Sequence, residues 1–275
     1  MKHQNLSNIL VPIFALTVGI IAAFPIFYTF MSAFKPLAEF SAYPPTILPQ
    51  SFSHTDNFIA AFERAPLMRF MLNSLIVATT GSVLRIVFAI LAAYAFAYYE
   101  FPCKKILFFI ILGTMMMPAD TLIVSNFLTV SRMGLLDTYS GMTIIALVGA
   151  MQMFMLRQCF RTIPISLRDA AFIDGCGDLH YLVGIVLPIA RPVVLTLLAQ
   201  SFVSFWNMFL WPLLVTNRTS MRTVQVGVSM LTNPHNPNFS LIMAAVSIIL
   251  IPSFILFVFL RRNIAHGITA GALVG

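Results

Sequence analysis

Six long apolar runs, separated by polar segments, constrain this chain more than any other feature of its sequence. They cover approximately residues 9–34, 72–98, 106–124, 139–156, 191–215 and 239–260. A helix needs about 20 apolar residues to cross a hydrocarbon core of about 30 Å. Only 9% of the 275 residues are charged, whereas soluble domains have roughly 25%. The runs therefore predict an all-α polytopic membrane protein with six transmembrane helices.

The segment before residue 70 is predicted to hold one span and one loop. The first run is longer than the apolar region of a signal peptide and has no clear cleavage site, so we expect an uncleaved helix. In the following polar segment, the apolar and polar residues of 56–64 are spaced as in a short amphipathic helix.

Basic residues cluster at the ends of the apolar runs and set the expected orientation. An even number of spans places both termini on one side, and the cytoplasmic side of a membrane protein carries the excess of basic residues. Nine basic residues lie on the side of the termini and six on the other. We therefore expect both termini to be cytoplasmic in a cell (cytoplasmic or inner) membrane.

Residues 164–192 form a polar island in this apolar chain. Ser166 followed by Asp169 is a capping-box pattern, which predicts that a short helix begins there. Gly175 and Gly177 are expected to end it, because glycine adopts left-handed conformations without steric cost. One face of this helix carries four residues at helical spacing, which are Leu167, Ala170, Ala171 and Asp174.

This island resembles the coupling loop, or EAA loop, of ATP-driven importers. Asp169-Ala170-Ala171, Gly175 and Val186-Leu187-Pro188 occupy the positions of its motif, with Asp169 in place of the usual glutamate. Cys176 stands where the family usually has alanine. The resemblance implies that the loop, residues 164–188, couples the chain to an ATPase. The residues implied are Leu167, Asp169, Ala170, Ala171, Asp174, Gly175, Leu187 and Pro188.

The resemblance extends along most of the chain. Asn73-Ser74, Phe101-Pro102, Trp206-Asn207 and the stretch 92–96 are similar to landmarks of carbohydrate-importer permeases of the maltose-transporter-like, type I family. The resemblance implies a MetI-like transmembrane domain at 70–262. An N-terminal tail, the first helix and an extracytoplasmic loop would precede it at 1–69, and a cytoplasmic tail would follow it at 263–275. It also implies a second homologous permease, two cytoplasmic ATPases and an extracytoplasmic solute-binding protein.

Other functional classes lack support in the sequence. No glycine-rich phosphate loop is present, so we expect ATP and Mg to be bound by partner subunits, with no cofactor in this chain. The nucleophile and zinc motifs of membrane hydrolases are also absent. Ion-coupled carriers usually need carboxylates within their spans, and here only Asp120 lies near one. An enzyme or an ion-coupled carrier is therefore disfavoured, and the energy must come from a partner.

Four polar residues near the spans are candidates for the solute pathway: Asn73, Arg85, Trp206 and Asn207. A charged residue deep in a span is costly unless it is paired or hydrated, so Arg85 either faces a pathway or bonds to carbonyls or Asp120. The Trp206-Asn207 pair suits sugars, whereas Trp211 fits an interfacial aromatic belt. Asn73 binds solute, caps a helix or bonds across helices.

Together with these residues, the resemblance implies a permease subunit that imports a sugar or oligosaccharide. The alternative is the similar permease for glycerol-3-phosphate or another phosphorylated solute, because the guanidinium of Arg85 suits phosphate.

Overall fold

The computed structural model describes residues 2–231 and 238–272, and every regular element in these ranges is helical. The all-α prediction is therefore confirmed. The α-helices in chain order are α1 (Lys2–Ala33), α2 (Leu37–Phe40), α3 (Asp56–Arg64), α4 (Leu67–Tyr98), α5 (Lys104–Thr114), α6 (Ile123–Arg132), α7 (Tyr139–Thr143), α8 (Ala150–Arg161), α9 (Ile165–Ile173), α10 (Asp178–Tyr181), α11 (Leu187–Trp206), α12 (Leu210–Val215), α13 (Val224–Ser229) and α14 (Phe239–Ala272).

The chain divides into two compact units. One comprises Met1–Met68 and Gly227–Ile251, and the other comprises Arg69–Val226 and Pro252–Gly275. The predicted division between residues 69 and 70 lies one residue from the first of these boundaries. Residues 227–251 group with the N-terminal unit, and the domain division from sequence stays a prediction.

In the N-terminal unit, the loop after α1 folds back onto the end of that helix. Asn57, in α3, donates from its amide nitrogen to the carbonyls of Ala33 and Lys35, each at 2.8 Å. The Lys35 side chain is buried, and its ammonium donates to the Thr46 carbonyl and lies over the Tyr28 ring. The amphipathic helix predicted at residues 56–64 is confirmed with those bounds.

Three continuous helices of the described residues are long and apolar enough to cross a membrane. They are Leu10–Ala33, Leu67–Tyr98 and Asp178–Trp206. Tyr139–Ala146 and Ala150–Arg161 meet at an angle of 55° and together are long and apolar enough for a fourth crossing if the bent pair is one span. The sixth predicted span begins α14 as expected, and the backbone of that helix continues into the predicted tail. The side chains of this tail lie outside the described residues.

The third and fifth spans were predicted as continuous helices, and this prediction was wrong because both are interrupted. The third run breaks between α5 and a 3-10 turn at Ala119–Leu122, where Pro118 cannot continue the helix. The fifth span begins at Asp178 rather than near residue 191, and Pro192 lies inside it. A π-helical turn at Leu182–Val186 shifts the local hydrogen-bond pattern immediately before Pro188.

Candidate functional site

The predicted coupling segment contains a short helix with a well-defined end. Gly175 has a φ of +81°, its N–H donates to the Phe172 carbonyl at 3.1 Å, and the Cys176 N–H donates to the Ala171 carbonyl at 2.9 Å. This pair of bonds is a Schellman motif, which requires the left-handed residue that glycine supplies. Gly175 thus ends α9 as predicted, whereas Gly177 precedes α10 with an ordinary φ of −80°.

The predicted capping box was wrong. α9 begins at Ile165, its N-cap is Pro164, and no side chain caps its amide groups. Ser166 lies inside the first turn and therefore cannot occupy the N-cap position. The N-cap therefore lies two residues before the predicted one, at a proline, which has no N–H to satisfy.

Arg168 holds the inner face of α9 against the rest of its unit. Its guanidinium donates to the Tyr98 carbonyl at 3.1 Å, reaches Asp178 at 3.5 Å and lies over the Phe172 ring at 4.9 Å. Ala171 is 8% exposed and belongs to the same buried cluster as the end of α4. The helix is therefore attached along one side rather than suspended in a loop.

Asp178 is the second anchor of the segment. The Tyr94 hydroxyl donates to its carboxylate at 3.0 Å, and a hydrogen bond to Asp178 raises the pKa of Tyr99. The sequence-based reasoning missed Arg168, Asp178 and this group of tyrosines. Arg168 and Ala171 are three residues apart, and this spacing on one face was the available signal.

The outer face of α9 is exposed. Leu167, Asp169, Ala170, Asp174 and Gly175 all lie at the surface. Ala171 points inward, so the face predicted to carry both alanines is divided between them. Leu187 is half-buried and Pro188 is exposed, and both belong to the start of α11 rather than to the helix that would meet a partner.

The left-handed geometry of Gly175 gives a prediction with a matched control. No atom lies within 4 Å of an added Cβ at Gly175 or at Gly177, so only the backbone conformation differs. We expect Gly175→Ala to destabilise the segment by about 1–2 kcal/mol and Gly177→Ala to have little effect. Limited proteolysis between α9 and α10 measures the difference, and equal cleavage of both variants would contradict it.

The fifth span breaks at the Trp206-Asn207 pair. α11 ends at Trp206 and α12 begins at Leu210, so the two predicted residues lie at a helix interruption. Trp206 is only 2% exposed and stacks on Phe202 at a centroid distance of 5.9 Å, whereas Asn207 is exposed. Interrupted transmembrane helices often carry solute sites, because their ends present free backbone groups. This geometry favours Asn207 as a solute contact and a packing role for Trp206.

The interpretation of Trp211 as a member of an interfacial belt was wrong. Its ring is buried, and its indole N–H donates to the Gly141 carbonyl at 3.0 Å. The indole therefore joins α12 to α7, which a hydropathy pattern cannot reveal.

Arg85, which belongs to α4, contacts the bend of the fourth span. Its Nε donates to the Ala146 carbonyl at 2.6 Å, and its guanidinium lies over the Phe205 ring at 4.4 Å. In an uninterrupted helix the Ala146 carbonyl would accept from residue 150, where α8 begins instead. A carbonyl left unpaired within a membrane is costly, and Arg85 satisfies it. Of the alternatives, the geometry favours the bond to a carbonyl. The side chain of Asp120 lies outside the described residues.

This role for Arg85 gives a second prediction. We expect Arg85→Ala to lower the free energy of unfolding by about 2–3 kcal/mol, because it leaves a carbonyl unpaired and removes the ring contact. The maximal rate of uptake should fall, while the apparent solute affinity and the retention of partner subunits should stay unchanged. Thermal unfolding and uptake kinetics test this. Weaker solute affinity at unchanged stability would instead make Arg85 a solute contact.

Asn73 is fully buried near the start of α4. Its amide donates to the carbonyls of Ser220 at 2.8 Å and Arg222 at 2.9 Å, and its oxygen accepts from the Tyr139 hydroxyl at 2.8 Å. Ser74 beside it accepts from the backbone of Val224 at 2.8 Å. These bonds favour the interpretation that the asparagine joins different segments.

Asp137 fixes the other end of the same loop. Its carboxylate accepts from the backbone N–H groups of Asn217 at 2.7 Å and Arg218 at 2.8 Å. The chain between α12 and α13 is therefore held at both ends by side chains far away in sequence.

Comparisons with known proteins agree on one family. The family described as binding-protein-dependent transport system inner membrane component matches residues 85–270. The sn-glycerol-3-phosphate transport system permease protein UgpE of Agrobacterium fabrum is 32% identical over 90% of this chain and 91% of its own length. UgpE of Brucella melitensis is 28% identical over 98% of both chains.

A solved structure has the same fold. It is a bacterial ABC transporter involved in the import of the acidic polysaccharide alginate, with a TM-score of 0.83 at 20% identity over 95% of this chain and 98% of that chain. A second structure, of a bacterial alginate ABC transporter with a periplasmic protein bound to alginate pentasaccharide, has a TM-score of 0.65 at 15% identity over 95% of each chain. This chain therefore belongs to the binding-protein-dependent inner membrane components of ABC importers, and is a membrane-spanning permease subunit rather than an enzyme.

Proposed function

We propose that this chain moves a sugar or oligosaccharide across the cytoplasmic membrane, driven by ATPase subunits that contact residues 164–188. The observation that carries the coupling role is the division of α9 into two faces. Its inner face is held by Arg168 and Ala171, and its outer face presents Leu167, Ala170 and Asp174. If an ATPase subunit displaces α9, a helix held in this way would pass the displacement on to α4 and α11 as a rigid element.

The proposed assembly contains two homologous permeases, two cytoplasmic ATPases and an extracytoplasmic solute-binding protein. In this assembly the ATPases would bind ATP and Mg, and α9 and both termini would lie on the cytoplasmic side. The dependence of the family on a binding protein supports this arrangement. Closure of the ATPases would move α9 and so reorient the helices that follow it.

A neutral solute suits the polar groups near the interrupted fifth span. Arg85, the cation that could have recognised a phosphate, is engaged with the Ala146 carbonyl and the Phe205 ring. Asn207 offers an exposed amide, which can both donate to and accept from sugar hydroxyls.

Glycerol-3-phosphate is the second candidate solute. The observation in its favour is that the relatives from Agrobacterium fabrum and Brucella melitensis bear the name of a glycerol-3-phosphate transport system.

ATPase activity of the reconstituted complex tests the proposal. Neutral mono- and oligosaccharides and glycerol-3-phosphate are compared, each with its solute-binding protein. Stimulation by a neutral sugar supports the main proposal, and stimulation by glycerol-3-phosphate alone supports the second. A permease that retains no ATPase subunit when it is purified would contradict the coupling role itself.

A further inference from the structure

A basic depression lies where the ends of α4 and α8 meet the start of α5. Its volume is about 880 Å³. The side chains that line it combine four cations, one carboxylate and several aromatic rings. The charged residues are Lys104, Lys105, Arg157, Arg161 and Glu100, and the phenylalanines are Phe96, Phe101, Phe108 and Phe109. The formal charge of the lining is therefore +3.

Two of the four cations are fixed by the protein itself. Lys104 pairs with Glu100 at 2.9 Å and donates to the Tyr99 carbonyl at 2.6 Å. Arg157 donates to the Phe96 carbonyl at 3.2 Å, and its guanidinium lies over the Phe108 ring at 4.2 Å. These contacts hold two positive charges at the wall of the depression in defined positions.

The other two cations face the depression without a carboxylate. Lys105 and Arg161 are exposed, and within residues 2–231 and 238–272 neither forms an ion pair. The amino end of α5 also points here, so its dipole adds to the positive potential. The site therefore favours an anion with several acceptor oxygens, such as a phosphate.

The depression opens onto an apolar surface. Ile106, Phe109 and Ile110 follow Lys105 along α5, and all three are strongly exposed. A ligand whose anionic group lies among the cations would thus have its apolar part beside these residues. A free phosphate has no such part, whereas a phospholipid has both. Basic depressions between transmembrane helices on the cytoplasmic side are known to suit anionic lipid headgroups.

We propose that this depression binds the phosphate headgroup of an anionic phospholipid, with the acyl chains along α5. Arg161 is the last residue of α8 and lies three residues before Pro164, the N-cap of α9. A bound headgroup would therefore steady the junction that leads into the coupling segment. The assignment to the cytoplasmic leaflet rests on the proposed function, but the binding site itself does not.

Lipid retention tests the site independently of transport. The purified complex is placed in zwitterionic nanodiscs and titrated with phosphatidylglycerol, and bound lipid is counted by native mass spectrometry. We compare wild type with the double variant Lys105→Gln/Arg161→Gln. The control is Arg132→Gln/Arg218→Gln, which removes two exposed basic groups outside this depression. We expect the first variant to lose about tenfold or more in affinity for phosphatidylglycerol and the control to match wild type.

Three results would overturn the proposal. Equal lipid retention by the two double variants would exclude the site. Displacement of the lipid by millimolar inorganic phosphate would show a site for small anions rather than lipid. Loss of partner subunits from Lys105→Gln/Arg161→Gln at unchanged lipid retention would make the depression a protein interface. Because retention is measured without solute, failure of the proposed import activity would leave this test intact.

Discussion

Ala170→Glu is expected to reduce transport by more than about tenfold while the protein still folds and inserts. Ala170 is exposed on the outer face of α9, so we expect the larger side chain to extend away from the core. In the proposed complex this face lies against an ATPase. An unpaired carboxylate buried in such an interface costs about 2–5 kcal/mol, and Asp169 and Asp174 nearby would add repulsion.

The matched control for this change is Gln158→Glu. Gln158 is exposed near the end of α8, and the substitution adds the same charge without changing the size of the side chain. Uptake and ATPase co-purification are measured at equal membrane levels of both variants. We expect normal uptake for Gln158→Glu. If Ala170→Glu transports as well as this control, the outer face of α9 is not the ATPase contact.

Asn73→Ala is expected to cause the largest loss of stability of the substitutions considered. It would remove the donor to the Arg222 carbonyl and the acceptor of the Tyr139 hydroxyl, whereas the Ser220 carbonyl keeps its bond from the Arg69 Nε. Each unpaired buried group costs about 1–3 kcal/mol, so we expect a total of about 3 kcal/mol or more. For a chain of this size this corresponds to a fall in Tm of about 6–12 °C, which thermal unfolding in detergent would detect.

Asn207→Ala removes the same amide from an exposed position and is the control for Asn73→Ala. We expect its stability to change by less than about 0.5 kcal/mol. Its uptake should show a weaker apparent solute affinity, because Asn207 lies at the interruption of the fifth span. Equal Tm values for the two variants would contradict the structural role of Asn73. Unchanged uptake by Asn207→Ala would remove Asn207 from the solute pathway.

Features that depend on short sequence separations were predicted well. The helix at Asp56–Arg64 has the bounds that its amphipathic pattern indicated. The end of α9 at Gly175 was also predicted. Glycine adopts the left-handed conformation without steric cost, so it commonly occupies the position that ends a helix. The start of α9 was placed wrongly, since Ser166 and Pro164 both satisfy simple rules for helix starts and only the backbone geometry decides between them.

For features that depend on distant partners, the sequence offered alternatives, such as a carbonyl bond for Arg85 and a bond across helices for Asn73, but it did not identify the partners. Hydropathy averages over about 20 residues and reports which segments prefer lipid, but it does not tell where a span breaks. The bend in the fourth span is accompanied by a bond from Arg85, which is 61 residues away from Ala146. Ser220 is bound by Asn73, which is 147 residues away.

The sequence by itself determined that this chain is an all-α membrane protein, and it indicated the motif at residues 164–188 for which a coupling role is proposed. The first conclusion rests on a local physical property, the affinity of apolar side chains for lipid, and the second rests on the resemblance of residues 164–188 to a known family motif. The tertiary structure decided which residues of that motif are exposed, with Ala170 outside and Ala171 inside. It also decided that Asn73, Arg85 and Trp206 are held by protein contacts while Asn207 is exposed. A polar side chain near a membrane must find a hydrogen-bond partner, and only the folded chain shows whether that partner is another segment of the same protein.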